Sequence, residues 1–402
     1  MKTITRLFLV GLIALGMTAC SNEEEVKLEG QPDATVSIRV VPSSNGPVVR
    51  ATGDLSGDGI LAKGLAAESA IKTLEVFLFD DLQGGKFVGS GSATGENVTE
   101  VKGIETTSGP KTIVVVANCS IIGTVANKAE LLAKTKDLPV VIANGLPMTG
   151  MTAAPVILKP GQNFYGHVLD AASLHNFIAP GAPLKVYRVN ARVAIVGATL
   201  DLTSANSDHI NFFDALTDAQ VAMFNVPKTS KLFGEELAMN ESFFQGAQWV
   251  STGGTYTVGA DEVAFLDETV TFPVAVGAAP YYYVNENSSG TEKEQMMIVL
   301  RAKPTKGGNY VEAEGLYTTG GYTYYPVWVN ATKNGYTYVG DNTGDSKIRR
   351  NTQYNISLTI KGIGNPTIDP PAQSFLDVMV SVEDWKVVDQ NVIWGETPTP
   401  IP

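Results

Sequence analysis

Cys20 is the first residue whose surroundings specify a chemistry. Lys2 and Arg6 precede an apolar run from Leu7 to Leu15, and Met17-Thr-Ala-Cys20 follows, the layout of a secretory signal peptide ending in a lipobox-like sequence. Cleavage there leaves Cys20 as a lipidated N-terminus. The alternative is an ordinary signal peptide with an incidental cysteine, and the small residues before Cys20 favour lipidation. No later run is apolar for long enough to span a bilayer, so lipid is the anchor. A second reactive position is the Arg50-Ala51 bond. It stands between Pro42-Ser-Ser-Asn-Gly-Pro47 and the glycines 53, 57 and 59, and a trypsin-like protease reaches an arginine flanked by turn-rich chain. Arg39 is the rival site, but pairing of its strand shields it.

Other chemistries lack their residues. His167, His175 and His209 are too few and too scattered for a zinc cage or a histidine-based triad. No Gly-x-Ser-x-Gly elbow, Walker loop or dinucleotide fingerprint occurs. Glu383-Asp384 beside Trp385 imitates an acid pair of a glycosidase, yet adjacent carboxylates between two strands read better as a turn. Asp54-Leu-Ser-Gly-Asp58-Gly59 begins like a calcium loop, but its twelfth position is Leu65 and not the required Glu. Asp341 to Asp345 reads as a hairpin tip. The tyrosines from Tyr317 to Tyr338 suit strand packing better than a sugar platform. With Cys20 consumed, Cys119 is a single thiol after the apolar run Ile113 to Ala117, hence a packing residue. The expectation is a protein that is not an enzyme and needs no cofactor or metal. A net charge of −12 excludes nucleic acid as a partner, because phosphate neutralisation needs a basic face.

The elements that position these residues are strands. The 402 residues are 44% hydrophobic and 17% charged, enough for two or three domains with cores. Glycine and proline punctuate short Val, Ile, Thr and Tyr runs, which is β-sandwich composition. Thr35 to Val41 puts Val36, Ile38 and Val40 on one face and ends at Pro42. Ile71 to Asp80, Lys111 to Asn118, Ala154 to Leu158, a long strand from Leu184 to Leu200, Tyr281 to Asn287, Gln295 to Ala302, Tyr322 to Val329 and Ile348 to Ile360 follow. Ala126 to Lys136 reads as a short helix, and Ile210 to Phe224 is ambiguous. Near the end, Leu376, Val378, Val380 and Val382 alternate with polar neighbours, and Trp385, Val388, Val392 and Trp394 extend the apolar character. About fourteen strands and few helices make an all-β chain of two stacked sandwiches. The strands at the two termini are expected to compete for one groove, the first before maturation and the last after it.

Several stretches together resemble the fimbrillins of the Bacteroidales, the FimA- and Mfa-like subunits of protease-assembled type V pili. They are Met17 to Cys20, Arg50-Ala51, Leu74-Glu-Val-Phe-Leu-Phe-Asp80, Lys111 to Asn118, Leu146-Pro-Met-Thr-Gly150, Arg188-Val-Asn-Ala-Arg192, Tyr282 to Asn287, Arg349 to Asn355 and Trp385 to Trp394. The closing strand looks most like that of a major stalk subunit. Glu23-Glu-Glu25 resembles the acidic signal that sends lipoproteins of this group to the outer surface. The tail from Gly395 to Pro402 departs from the family pattern.

The resemblance implies two tandem transthyretin-like sandwiches. The implied organisation is a signal peptide (1–20), a propeptide with a removable first strand (21–50), an N-terminal sandwich (51–183), a C-terminal sandwich (184–374), donor strands (375–394) and a tail (395–402). It implies export as a lipoprotein to the outer membrane and cleavage after Arg50 by an arginine-specific surface protease. Loss of Val36, Ile38 and Val40 then opens a groove, and the row Leu376, Val378, Val380, Val382 with Trp385, Val388, Val392 and Trp394 of another copy fills it. Implied partners are copies of the chain, anchor and tip subunits, the protease, and a host or bacterial surface ligand. The competing readings are a tip or accessory subunit, in which deleting 375–394 spares fibre length, and an anchored glycan-binding lipoprotein, which needs its tether uncut.

Overall fold

The computed structural model describes residues 31–43, 66–121, 124–138, 145–170, 175–203, 212–234, 242–249, 261–275, 279–288, 294–311, 313–331, 336–338, 344–369 and 376–384; 66–67, 261, 336–338 and 376–384 are described by backbone alone. Among the described residues strand dominates, in 25 segments. The excess over fourteen comes from short marginal pieces such as Val226–Pro227 and Asn309–Tyr310, which are too brief to show a period.

The first sandwich follows from period-2 burial. Leu74, Val76 and Leu78 of the Thr73–Asp80 strand, Ile113 and Val115 of Gly109–Ala117, and Val36, Ile38 and Val40 of Ala34–Pro42 share one core. Its strand order is Asn176–Ile178, Gly161–Tyr165, Ala34–Pro42, Leu184–Arg188, Met148–Met151, Gly109–Ala117, Thr73–Asp80, Lys86–Thr94. Glu100–Thr106 branches off Ala34–Pro42, and Val156–Leu158 off Gly109–Ala117. Ala34–Pro42, hereafter the opening strand, is therefore interior to the sheet.

The second sandwich packs two sheets over a larger core that includes Val193, Ile195, Val221, Ile298, Tyr325, Ile356 and Leu358. One sheet runs Tyr281–Val284, Ala191–Leu200, Thr352–Ile360, Leu376–Asp384, Tyr336–Tyr338; the other centres on Ala215–Phe224 and Met297–Lys306, with Thr323–Trp328 on the latter.

Three sequence expectations change. The run from Leu184 to Leu200 is two strands, Leu184–Arg188 and Ala191–Leu200. The first pairs with the opening strand and with Met148–Met151, the second with Tyr281–Val284 and Thr352–Ile360. The junction between sandwiches thus falls at 189–190 and not at 183. The physical reason is a slip of phase: Leu184 and Val186 face the first core, whereas Ala191, Val193 and Ile195 face the second. The helix expected over Ala126–Lys136 is confined to Lys128–Leu132, capped by Asn127, whose Oδ1 accepts from Glu130 N at 2.9 Å. Thr135–Asp137 leaves it to pair with Thr229–Lys231. Glu383 and Asp384 form no turn, because they end the Leu376–Asp384 strand opposite Gln353 and Thr352.

Candidate assembly interface

The seat of the opening strand is built by three neighbours. Ala34 to Ile38 pair in parallel with Gly161 to Tyr165 on one edge. On the other edge Ala34 to Arg39 pair antiparallel with Glu100–Thr106; beyond Gly161–Tyr165, Val40 to Pro42 pair in parallel with Leu184 to Val186. Among the described residues Glu100–Thr106 has no other strand partner. Lifting the opening strand out would leave Glu100–Thr106 without a ladder and split the sheet. The vacated seat would expose the surfaces on which Val36, Ile38 and Val40 rest; the first two are fully buried and the third is 2% exposed.

Polar contacts mark the seat along its length. Asp33 accepts from Ser108 N and Oγ, and Asn163 Nδ2 donates to Thr35 O at 3.1 Å while also holding Lys159 O and Gly161 O. The Glu100–Thr106 strand has one extra residue between its partners of Val36 and Ile38, with Gly103 at φ 62°. There the Gly103 N–H donates to Ser37 Oγ at 3.1 Å. Arg39 stands opposite Glu100, and His167 Nε2 lies 3.2 Å from Glu100 Oε1 without hydrogen-bond alignment. Burial holds the His167 imidazole below the usual histidine range; Glu100 opposes this, and Arg39 and Lys102 reinforce it.

The seat ends at the junction between sandwiches. Ser43 donates to Val186 O at 2.8 Å. Nearby, Glu68 is fully buried; its Oε1 accepts from Arg192 Nη1 at 2.7 Å and from the Tyr283 hydroxyl at 2.8 Å. Arg188 donates to Glu68 O and Ser69 Oγ, each at 2.8 Å. Burial pushes the Arg188 guanidinium down to about 10 against the pull of Glu68. Burial, then Glu68, pushes the Tyr283 phenol up.

Leu376–Asp384, hereafter the closing strand, does not sit at the opening strand's seat. It pairs along its whole length with Thr352–Ile360, placing Leu376, Val378, Val380 and Val382 opposite Ile360, Leu358, Ile356 and Tyr354, all four of which are core residues of the second sandwich. The two terminal strands occupy different sandwiches of one chain. Cys20, Arg50, Ala51, Trp385, Val388, Val392 and Trp394 lie outside the described residues, as do His209 and the Asp54–Asp58 loop.

Other candidates resolve as packing. Cys119 is buried, and burial pushes its thiol up. His175 packs on Phe164 at 5.0 Å between centroids. Tyr324 and Tyr325 are buried, and the outer face of Tyr322 carries Arg301 and Lys303. Asp345 accepts from Arg349, Asn330 and Lys347 in a turn. Among the described residues no group of three or more His, Cys, Asp or Glu gathers for a metal, and no helix is long and apolar enough to cross a membrane. Sequence reasoning missed the Glu68–Arg188–Arg192 cluster and Asn163. Its one available signal was two arginines, Arg188 and Arg192, four positions apart in a largely apolar run.

Comparison with known proteins matches residues 34–211 to the family model of the major fimbrial subunit protein (FimA) and 190–385 to that of the FimA4 pilin C-terminal domain. The chain is 33% identical to a major fimbrium subunit FimA type-4 of Porphyromonas gingivalis over 413 residues, covering 97% of this chain and 99% of that one. It is 31% identical to a type-5 subunit of the same organism with the same coverage. The crystal structure of a fimbrilin from P. gingivalis W83 superposes with a TM-score of 0.71 at 30% identity, over 90% of this chain and 99% of the other.

Proposed function

Because the chain belongs to the family of the major fimbrial subunit FimA, we propose that it is a structural subunit of a cell-surface fimbria that supports adhesion and polymerises by strand exchange. The precursor is exported as a lipoprotein through Cys20, cut after Arg50, and loses the opening strand. A neighbouring copy fills the seat, and the head-to-tail contact repeats without closing.

The observation that carries this reading is the interior position of the opening strand, which joins three strands that, among the described residues, share no other ladder with one another. A strand in that place cannot be lost without being replaced, because an open edge above an apolar floor seeks another chain. It also precedes Arg50 in sequence, so one cut detaches it from the mature body. The pairing of Leu376–Asp384 with its own sheet supports giving the filling to the residues that follow. Leu376, Val378, Val380 and Val382 form a stem, and Trp385 to Trp394 are the donor. Ten extended residues reach about 33 Å, enough to span the nine-residue seat.

The test is Arg50→Ala expressed in the native host. The expected product is a lipidated monomer and no ladder of multimers on partly denaturing gels, while wild-type surface protein begins at Ala51. A ladder that persists in the variant overturns the reading.

A further inference from the structure

The end of the opening segment meets the strand that pairs with the closing strand at one side chain. The Ser43 carbonyl, at the end of the opening segment, accepts from Asn351 Nδ2 at 3.4 Å. Oδ1 of the same carboxamide accepts from Arg188 N at 3.3 Å and from Arg188 Nη1 at 3.2 Å. The Asn351 backbone N–H donates to Asn190 O at 2.9 Å. Each of these bonds points back towards the first sandwich or the linker. Asn351 nonetheless opens the Thr352–Ile360 strand of the second, and its φ of 54° is a left-handed turn that asparagine tolerates. The next residue, Thr352, is the register partner of Asp384, where the closing strand ends. One carboxamide therefore touches the residue that follows the opening strand, and its own residue directly precedes Thr352, the register partner of Asp384.

We propose that Asn351 is a positioning residue that couples removal of the opening strand to release of the donor root. This rests on the strand-exchange reading and adds its regulation. With Ser43 in place, the carboxamide clasps Ser43 and Arg188 together and fixes the start of Thr352–Ile360, and with it the Thr352–Asp384 pair. When the opening strand leaves, Nδ2 loses its acceptor, and Leu184 to Val186 lose the ladder to Val40 to Pro42 that steadies the strand bearing Arg188. The start of Thr352–Ile360 then frays, and the residues beyond Asp384 gain reach. A subunit that still carries its propeptide keeps its donor held, which keeps unprocessed chains from assembling.

Substitution separates the parts. Asn351→Asp keeps an acceptor for Arg188 and deletes the donor to Ser43; Asn351→Gly keeps the left-handed backbone and deletes both. Hydrogen–deuterium exchange on the uncleaved full chain reads the result. Both variants should exchange faster at 380–384, by about two- to tenfold for one hydrogen bond of ordinary net strength, with Thr73–Asp80 unchanged. Cleavage of the wild type by an arginine-specific protease, with removal of the opening peptide, should raise the same amides by a similar factor. In the variants, cleavage should add little, since the clasp is already open. Equal exchange in wild type and Asn351→Asp, or cleavage and substitution that act additively, overturns the coupling. Should a variant not fold, the wild-type comparison before and after cleavage decides alone. A cleaved wild type that polymerises with 380–384 still protected sinks the coupling and spares strand exchange. If the cleaved wild type does not polymerise, the strand-exchange reading fails, whatever the exchange rates.

Discussion

His167 sits where the opening strand's charge meets the strand opposite, with Glu100, Arg39 and Lys102 as the charged groups that act on it and Phe164 against its ring at 5.2 Å. Its folded value lies below the ordinary 6.5, so in the window between the two the unfolded chain binds the proton more readily than the folded one. Stability from this group is complete above the ordinary value and is lost as pH falls through it towards the lower folded value. Urea unfolding midpoints of the precursor are expected to drop between pH 7 and pH 5, and His167→Gln should flatten that segment of the profile. Parallel profiles for the two proteins would remove His167 from the account.

The Lys86–Thr94 strand shows how an element that does not pair with the opening strand shapes its seat. A Cβ on Gly89 would stand 2.5 Å from the Glu105 carbonyl oxygen, and one on Gly91 would stand 2.7 Å from Ile104 Cγ1. These glycines let Glu100–Thr106, the antiparallel partner of the opening strand, lie close over the sheet. Gly89→Ala must push that backbone aside and should cost the precursor about 1–3 kcal/mol by urea denaturation, with exposed Ser90→Ala as the control. Equal stability of the two variants would mean that the strands separate freely. Elements with an unbroken period were legible in the sequence: Leu74, Val76 and Leu78 alternate and are buried as alternation requires, and so do Val36, Ile38 and Val40. Ile210 to Phe224 is ambiguous in sequence because the ladder of its strand, Ala215–Phe224, is irregular between Thr217 and Gln220, with Asp218 at φ 50°, which breaks the period. Leu184 to Leu200 read as one strand because alternation continues on either side of a phase slip that only two separate cores reveal. The seat's apolar row was visible, but its walls were not. Gly161–Tyr165 lies in a polar, glycine-marked stretch, and Ser43 and Asn351 are 308 positions apart, beyond any local pattern.

At the scale of the whole molecule, charge opposes the assembly that the fold favours. The full chain carries −12; residues 1–19 hold two basic side chains and residues 20–50 three basic and five acidic ones, so a form beginning at Cys20 would carry −14 and one beginning at Ala51 −12. On the proposed reading, processing would switch assembly on through the vacated seat, because repulsion between identical chains would change little with the cut. What salt changes is the approach of two processed subunits. The screening length falls from about 30 Å at 0.01 M to about 8 Å at 0.15 M, much shorter than the reach of the proposed donor, which at the higher salt would meet a seat before the bodies repel strongly. Light scattering of chains beginning at Ala51 should show faster elongation at the higher ionic strength, while Arg50→Ala precursor stays monomeric at both. Elongation that slows with salt would mean that attraction between complementary charged patches steers the encounter, and net repulsion would cease to be the barrier that the donor overcomes.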